Sequence, residues 1–263
     1  MKKIFLTGAS SGIGRATAEA LVARGHEVWG TARDPARVAQ RERLHAVRLD
    51  LTQPDSIRSA FQDSLGEAGA FDAVINNAGS GFFGAAESLS LEELREQFQT
   101  LVFGHIQLCH LALAAMRTND RGLIINVTSL VVELPVPFMA CYNAAKAAEA
   151  AYTMSLQLEL ATSPIRVIDL QPGDIRTGFN DAVQTGLTSD PRVAQSWRVI
   201  DRNMKQAPPP ELVAEKIAAL IESANPPPRL IVGDFFQSKI APLLDRFLPQ
   251  RVRLWGLRKY YGI

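Results

Sequence analysis

Ile4-Phe5-Leu6-Thr7-Gly8-Ala9-Ser10-Ser11-Gly12-Ile13-Gly14 opens the chain and decides how the rest is read. A short apolar run stops at Thr7-Gly8, too soon for a signal peptide, so it reads as a buried strand. A helical pattern begins by about Arg15. Glycines between a first strand and a first helix let the backbone turn tightly and approach a pyrophosphate. The helix start adds free N–H groups and a positive dipole end. Gly8, Ser10, Ser11, Gly12, Ile13 and Gly14 are therefore candidate phosphate-binding residues. The alternative is an ordinary glycine turn, and the spacing is G-x-x-x-G-x-G rather than G-x-G-x-x-G.

Outward from this loop the pattern alternates. Strands are expected at residues 4–7, 27–31, 44–49, 73–76, 122–128, 165–170 and 229–232. Helices are expected at 15–24, 56–65, 142–160 and 211–223, with one long helix from Ser90 to about 117. Ser90-x-x-Glu93 forms its capping box. This alternation predicts an α/β fold, a parallel sheet of about seven strands with helices on both faces. No repeat or linker divides the chain, so residues 1–263 read as one domain.

Bulk composition narrows the function. Hydrophobic residues are 47% and charged residues 21%, ordinary for a globular protein with a full core. A net charge of +1 gives no reason to expect nucleic-acid binding. Two cysteines, Cys109 and Cys141, form no framework and suggest a reducing compartment, here the cytoplasm. No C-x-x-C or H-E-x-x-H spacing points to a metal. No uncharged apolar run is long enough to span a bilayer; residues 101–116 come close but carry His105, Gln107 and His110.

Two strand ends discriminate between cofactors. Folds that prefer NAD often place an acid after the second strand, to accept from the ribose 2′-OH. Here that strand ends at Ala32-Arg33, and a guanidinium suits a 2′-phosphate. Asp34 follows, in a context that reads as a turn or helix start. Arg33 thus points to NADP(H), the alternative being a plain surface charge. Asp50-Leu51 ends the third strand, where a carboxylate meets an adenine amino group.

Tyr142-Asn143-Ala144-Ala145-Lys146 carries the chemistry. Residues four apart stand side by side on a helix. An ammonium beside a phenol favours the phenolate, so the Tyr142 pKa is expected to fall toward the working pH and fit it for general acid–base work. Alone, this spacing also describes a solvated helix face.

Assembled, these residues resemble the short-chain dehydrogenase/reductase family. The run from Thr7 to Gly14 is similar to its cofactor loop, and Asn76-Asn77-Ala78-Gly79 to the motif that steadies the sheet beside the cofactor. Ser129 stands thirteen residues before Tyr142, the family's usual spacing, and Pro172-Gly173-Asp174-Ile175-Arg176-Thr177 resembles the loop that cradles the nicotinamide. The match covers roughly the first 180 residues. The resemblance implies a doubly wound Rossmann fold and transfer of hydride between NADP(H) and a carbonyl/alcohol pair. It implies that Tyr142 exchanges the proton, that Ser129 stabilises the carbonyl oxygen, and that Lys146 tunes Tyr142 and holds the ribose. Thr128 is the alternative hydroxyl. Asn77, Ala78, Gly79, Pro172, Gly173, Ile175 and Thr177 are implied cofactor contacts, with Tyr142 and Lys146. A homo-oligomer through residues 90–117 and 142–160, dimer or tetramer, is also implied.

One position departs from the family. Its long helix usually has an asparagine three residues before a glycine, thought to hold a water that links the lysine to solvent; here Leu101 precedes Gly104. Leucine has no hydrogen-bonding group. His105 lies one turn on and can contribute, or simply pack.

Residues 178–207 are expected to form a lid over the substrate; their apolar residues, Phe179, Val183, Leu187, Val193, Trp197 and Val199, suggest a hydrophobic small-molecule substrate. Residues 237–263 form a basic, apolar extension similar to that of the hydroxysteroid and retinol dehydrogenase branch, hinting at a steroid-, retinoid- or lipid-like substrate. It packs on the cleft or a second subunit, or lies on a membrane as a peripheral contact; Pro242 and Pro249 interrupt any long helix and favour packing. Beside the oxidoreductase stand two other readings: an NADP(H)-binding sensor or partner protein with weak or lost catalysis, supported by Leu101, and a membrane-surface protein.

Overall fold

The computed structural model describes residues 1–185 and 190–263. Its strands are β1 (Lys3–Leu6), β2 (Glu27–Ala32), β3 (Leu44–Arg48), β4 (Ala73–Asn76), β5 (Phe82–Phe83), β6 (Gly122–Val127), β7 (Ile165–Pro172), β8 (Gln184–Thr185) and β9 (Arg229–Val232). Seven of them form one parallel sheet in the order β3-β2-β1-β4-β6-β7-β9. Each of the seven falls within two residues of its expected span, because buried parallel strands are the apolar runs between turn residues.

The helices are α1 (Gly12–Ala23), α2 (Pro54–Ala68), α3 (Leu91–Phe98), α4 (Gly104–Thr118), α5 (Ala140–Glu159), α6 (Phe179–Ala182), α7 (Pro191–Gln206), α8 (Glu211–Glu222), α9 (Ala241–Phe247) and α10 (Gln250–Tyr261). Strand side chains alternate between faces, and the two cores record it. Ile4, Leu6, Ile125 and Leu170 pack with α1 and α8, whereas Phe5, Ile124 and Val167 pack with α2, α4 and α5. A third cluster joins Leu101, Tyr142, Val183 and Val193 at one end of the sheet.

The chain runs from β1 outward to β2 and β3, then returns to β4 on the other side of β1. That reversal opens a crevice at the strand ends, where ligands bind in such sheets. Thr7 stitches the crevice walls together: its Oγ1 accepts from the amides of Asn77 (2.8 Å) and Ala78 (2.9 Å), and its carbonyl accepts from Asn77 Nδ2 (2.9 Å).

Two elements, the long helix and the tail, differ from expectation. The long helix has the Ser90–Glu93 capping box but is not continuous, because a π-helical turn, Gln99–Phe103, joins α3 to α4. Such turns insert one extra residue and often mark functional sites; here the turn buries Leu101 and Val102. Leu91–Thr118 is long and apolar enough to span a bilayer by length and composition. Its inner face packs against the sheet instead through Leu108, Ala112 and Met116. The expected lid segment is largely helical, with α6 and α7 and a small sheet of β5 and β8; Leu187 lies outside the described residues. In the tail, Pro242 starts α9 rather than breaking it, since a first-turn proline forfeits no hydrogen bond. Pro249 does separate α9 from α10.

The tightest backbone approach lies in the first loop. A Cβ on Gly14 would fall 2.0 Å from the Gly8 carbonyl oxygen and 2.5 Å from Asn77 Nδ2. Gly14→Ala is expected to lower stability by at least about 2 kcal/mol, the scale of an overpacked core. Chemical denaturation checks this; a variant as stable as the parent contradicts the close approach.

Candidate active site

The β1–α1 loop forms one wall of the site. Gly8 and Gly12 adopt positive φ, +75° and +53°, which glycine tolerates. Ser11 is the N-cap of α1 and makes no side-chain cap, so the first-turn N–H groups face the crevice unshielded by their own cap. Ser10 is half-buried and Ser11 exposed in the same loop. Across the crevice Thr177 stands 3.4 Å from the place a Gly12 Cβ would occupy. Ile13, Asn77, Gly79, Pro172, Gly173, Ile175 and Thr177 line a cavity of about 160 Å³ that reaches Ser129, Tyr142 and Lys146. Ala78 bonds Thr7 beside it. A glycine cradle without Cβ atoms, an open helix start and a cleft leading to a phenol fit a nicotinamide dinucleotide.

Arg33 is exposed one residue past β2. Asp34 accepts from the Ala36 amide (3.1 Å) and caps the turn Pro35–Arg37. Asp50 is likewise turned to local work: its Oδ1 accepts from the amide (2.9 Å) and hydroxyl (2.8 Å) of Thr52. Leu51 is buried beside it.

At the other end, Ser129 is the extended residue after β6, and its Oγ accepts from the Val131 amide (3.2 Å). Its hydroxyl and the Tyr142 phenol line the same cleft. Thr128 is spoken for, donating to Asp169 Oδ1. Tyr142 and Lys146 lie on the buried face of α5, with Phe179 of α6 against the tyrosine ring, centroids 5.6 Å apart.

The expected fall in the Tyr142 pKa is not what the fold produces. Burial lifts the phenol above its ordinary value, and the Lys146 ammonium and Ser129 hydroxyl only partly offset it. Spacing reveals the cation, whereas desolvation depends on everything packed over the ring. A raised phenol remains protonated at neutral pH, the form a proton donor needs.

Lys146 has its own support. Its Nζ donates to the Val127 carbonyl (2.7 Å) and to Glu149 Oε2 (2.8 Å), and all three residues are buried. Glu149 Oε1 in turn lies 2.6 Å from His105 Nδ1. Burial pushes the Glu149 carboxyl up, but Lys146 and His105 overcome it, and the group stays below the usual carboxylate range. Burial likewise pulls the Lys146 ammonium down, and Glu149 and Tyr142 raise it above its ordinary value. The pair is therefore charged across the neutral range; it is lost in acid as Glu149 protonates and in base as Lys146 deprotonates. His105 Nε2 is buried with no partner among the described residues.

Leu101 is fully buried and fills the space before Gly79, where a Cβ would lie 2.6 Å from its Cδ2. The polar partners of Lys146 are the Val127 carbonyl and Glu149, and His105 stands behind Glu149. Glu149 escaped the sequence reading because Lys146-x-x-Glu149 in an alanine-rich helix looks like a solvated ion pair. Its signal was the seven-residue step from Tyr142, which puts both on one face. The two cysteines stand apart: burial pushes the Cys109 thiol up to about 12, and burial also raises Cys141.

Comparison with known proteins agrees with this geometry. Residues 2–187 match the short chain dehydrogenase family. The chain is 35% identical to a 3-ketodihydrosphingosine reductase of Bacteroides thetaiotaomicron, over 99% of this chain and 98% of the relative. It is 30% identical to an NADPH-dependent 1-acyldihydroxyacetone phosphate reductase of Schizosaccharomyces pombe, over 92% of this chain and 78% of that one. A crystal structure of a short-chain dehydrogenase from Streptomyces avermitilis superposes with a TM-score of 0.84 at 31% identity, covering 98% and 96% of the two chains.

Glu149→Gln removes the counter-charge from Lys146 and leaves its desolvation less opposed. The ammonium is then expected to lose its proton at lower pH, and the alkaline limb of kcat/KM to move toward neutrality. A pH–rate profile reads this directly, and an unmoved limb would show that Glu149 does not hold the charge on Lys146.

Proposed function

The chain belongs to the short-chain dehydrogenase/reductase family, and we propose that it reduces an apolar, lipid-like ketone or aldehyde to the alcohol at the expense of NADPH. The observation that carries this reading is the buried Ser129–Tyr142–Lys146 group facing a cleft that begins at the glycine loop. The dinucleotide, when bound, supplies the hydride. The rest of the work falls to side chains of this chain. Ser129 holds the carbonyl oxygen by a hydrogen bond as negative charge grows on it. Tyr142 gives its phenolic proton to that oxygen. Lys146, kept charged by Glu149, stabilises the phenolate left behind and holds the ribose hydroxyls.

Three features support the finer points. An exposed Arg33 at the end of β2, with Asp34 occupied by its own turn, favours a 2′-phosphate, and the Schizosaccharomyces pombe relative is NADPH-dependent. Val131, Val136, Met139, Trp197 and Ile200 give the cleft an apolar wall, in keeping with the lipid-like substrates named for two relatives. α6 and α7 act as the lid, with Val183 and Val193 packed into the site cluster. The sensor reading loses ground because Glu149, braced by His105, supplies an ionisable group beside Lys146. Phe103, Met154 and Leu158 are exposed on the helices through which pairing into a homo-oligomer is expected.

A peripheral membrane contact is a second reading, favoured by exposed Phe235, Phe247 and Trp255 near exposed Lys239, Arg251 and Arg258. Flotation with anionic liposomes checks it: recovery in the top fraction is expected, and salt-independent absence from that fraction excludes it.

Turnover of apolar ketones and aldehydes with NADPH tests the main proposal. Tyr142→Phe is expected to cost about 10²–10⁴-fold in kcat while dinucleotide affinity survives; activity at the parental level would sink the assignment. Arg33→Ala is expected to raise KM for NADPH about tenfold or more and to spare NADH. Equal losses with both would remove the 2′-phosphate role.

A further inference from the structure

We propose that a second cavity, behind Ser129 and beneath the C-terminal helices, holds the alkyl chain of the substrate; this rests on reading the site as a carbonyl reductase. The cavity measures about 280 Å³, against about 160 Å³ for the cleft at Tyr142. The two lobes meet at Ser129, Val131, Val136, Gly173, Asp174 and Tyr261, which line both. A carbonyl held by Ser129 therefore has apolar room on each side of it.

The far lobe is built from the tail. Leu244 and Leu248 of and after α9, and Val252 and Leu257 of α10, face Leu130 and Leu134 from the loop after β6. Arg253 and Tyr260 also line this lobe, while at the junction two polar groups, Gln237 and Asp174, satisfy each other. Gln237 Nε2 donates to Asp174 Oδ2 (2.7 Å), and the Asp174 amide donates to Gln237 Oε1 (2.9 Å). A substrate passing this point needs no polar group there, which suits a hydrocarbon.

Gly256 carries the argument further. It lies inside the twelve-residue helix α10 and lines this lobe. A glycine within a helix is disfavoured relative to alanine, and such a position is usually explained by crowding. Here there is none: a Cβ on Gly256 would meet nothing within 4 Å. By contrast, a Cβ on Gly173 at the junction would lie 2.5 Å from Gln237 Oε1. The room at Gly256 belongs to the cavity, and the missing side chain keeps it open. The outer rim is apolar as well, with Phe236 and Leu244 about half exposed, so a chain can enter from the tail side.

The test uses the full chain and straight-chain 2-alkanones from butan-2-one to dodecan-2-one. In the parent protein kcat/KM should climb by up to about fourfold per methylene. In Gly256→Phe, whose ring has space to fill the lobe, the climb should flatten for the longer ketones. A calorimetric titration with dodecan-1-ol reads the cavity without turnover, and binding to the parent that Gly256→Phe weakens at least tenfold is expected. Such binding with no reduction of any ketone would uphold the cavity and overturn the reductase reading. No binding of dodecan-1-ol to the parent, or the same chain-length slope in both proteins, would overturn the cavity. The parent titration decides even where circular dichroism finds Gly256→Phe unfolded.

Discussion

A lysine ammonium buried at the end of a parallel sheet is the constraint on which the site depends. Removing such a charge from water costs several kcal/mol, and Lys146 is nearly inaccessible. The cost is offset by a backbone carbonyl from β6 and by the carboxylate of Glu149. Glu149 is buried in its turn and leans on His105 across to α4. The proton transfer proposed for Tyr142 thus draws on a line of groups that begins on one helix and ends on another. With a buried leucine at position 101, the polar support of the lysine runs through side chains packed behind it.

The sheet sets this line where a dinucleotide can meet it. Because the strand order reverses beside β1, the glycine loop after β1, the Asn77 loop after β4 and the Ser129 segment after β6 all open on one edge. Thr7 and Asn77 lock two of these loops together through three hydrogen bonds. The loop after β7 closes the crevice opposite Gly12. Burial over the same cleft holds the Tyr142 phenol above its ordinary pKa.

The C-terminal segment completes the apolar end. Tyr261 is buried at the cleft and Tyr260 accepts from Asn203 Nδ2 (3.0 Å), tying α10 to α7. Gln237 ties the π-helical turn Phe236–Ile240 to the loop after β7. The same segment leaves Phe235, Phe247 and Trp255 facing outward. One stretch of chain therefore closes the cleft, widens it with a second lobe and carries an apolar outer surface.

The sequence by itself determined the sheet and the cofactor loop. Buried parallel strands are continuous apolar runs, and a loop that must pass within 2.0 Å of where a Cβ would sit has to be glycine. Both are local demands and leave local marks, as does the four-residue step from Tyr142 to Lys146. The tertiary structure alone decided the rest. Whether the phenol rises or falls in pKa depends on how much water is excluded, and whether Glu149 is a surface charge or the partner of Lys146 depends on what α4 lays against it. The second lobe exists only because α9 and α10 fold back over the loop after β6, bringing residues more than a hundred positions apart to one wall. Desolvation and packing are sums over neighbours that are distant in the chain, and no window of sequence contains them.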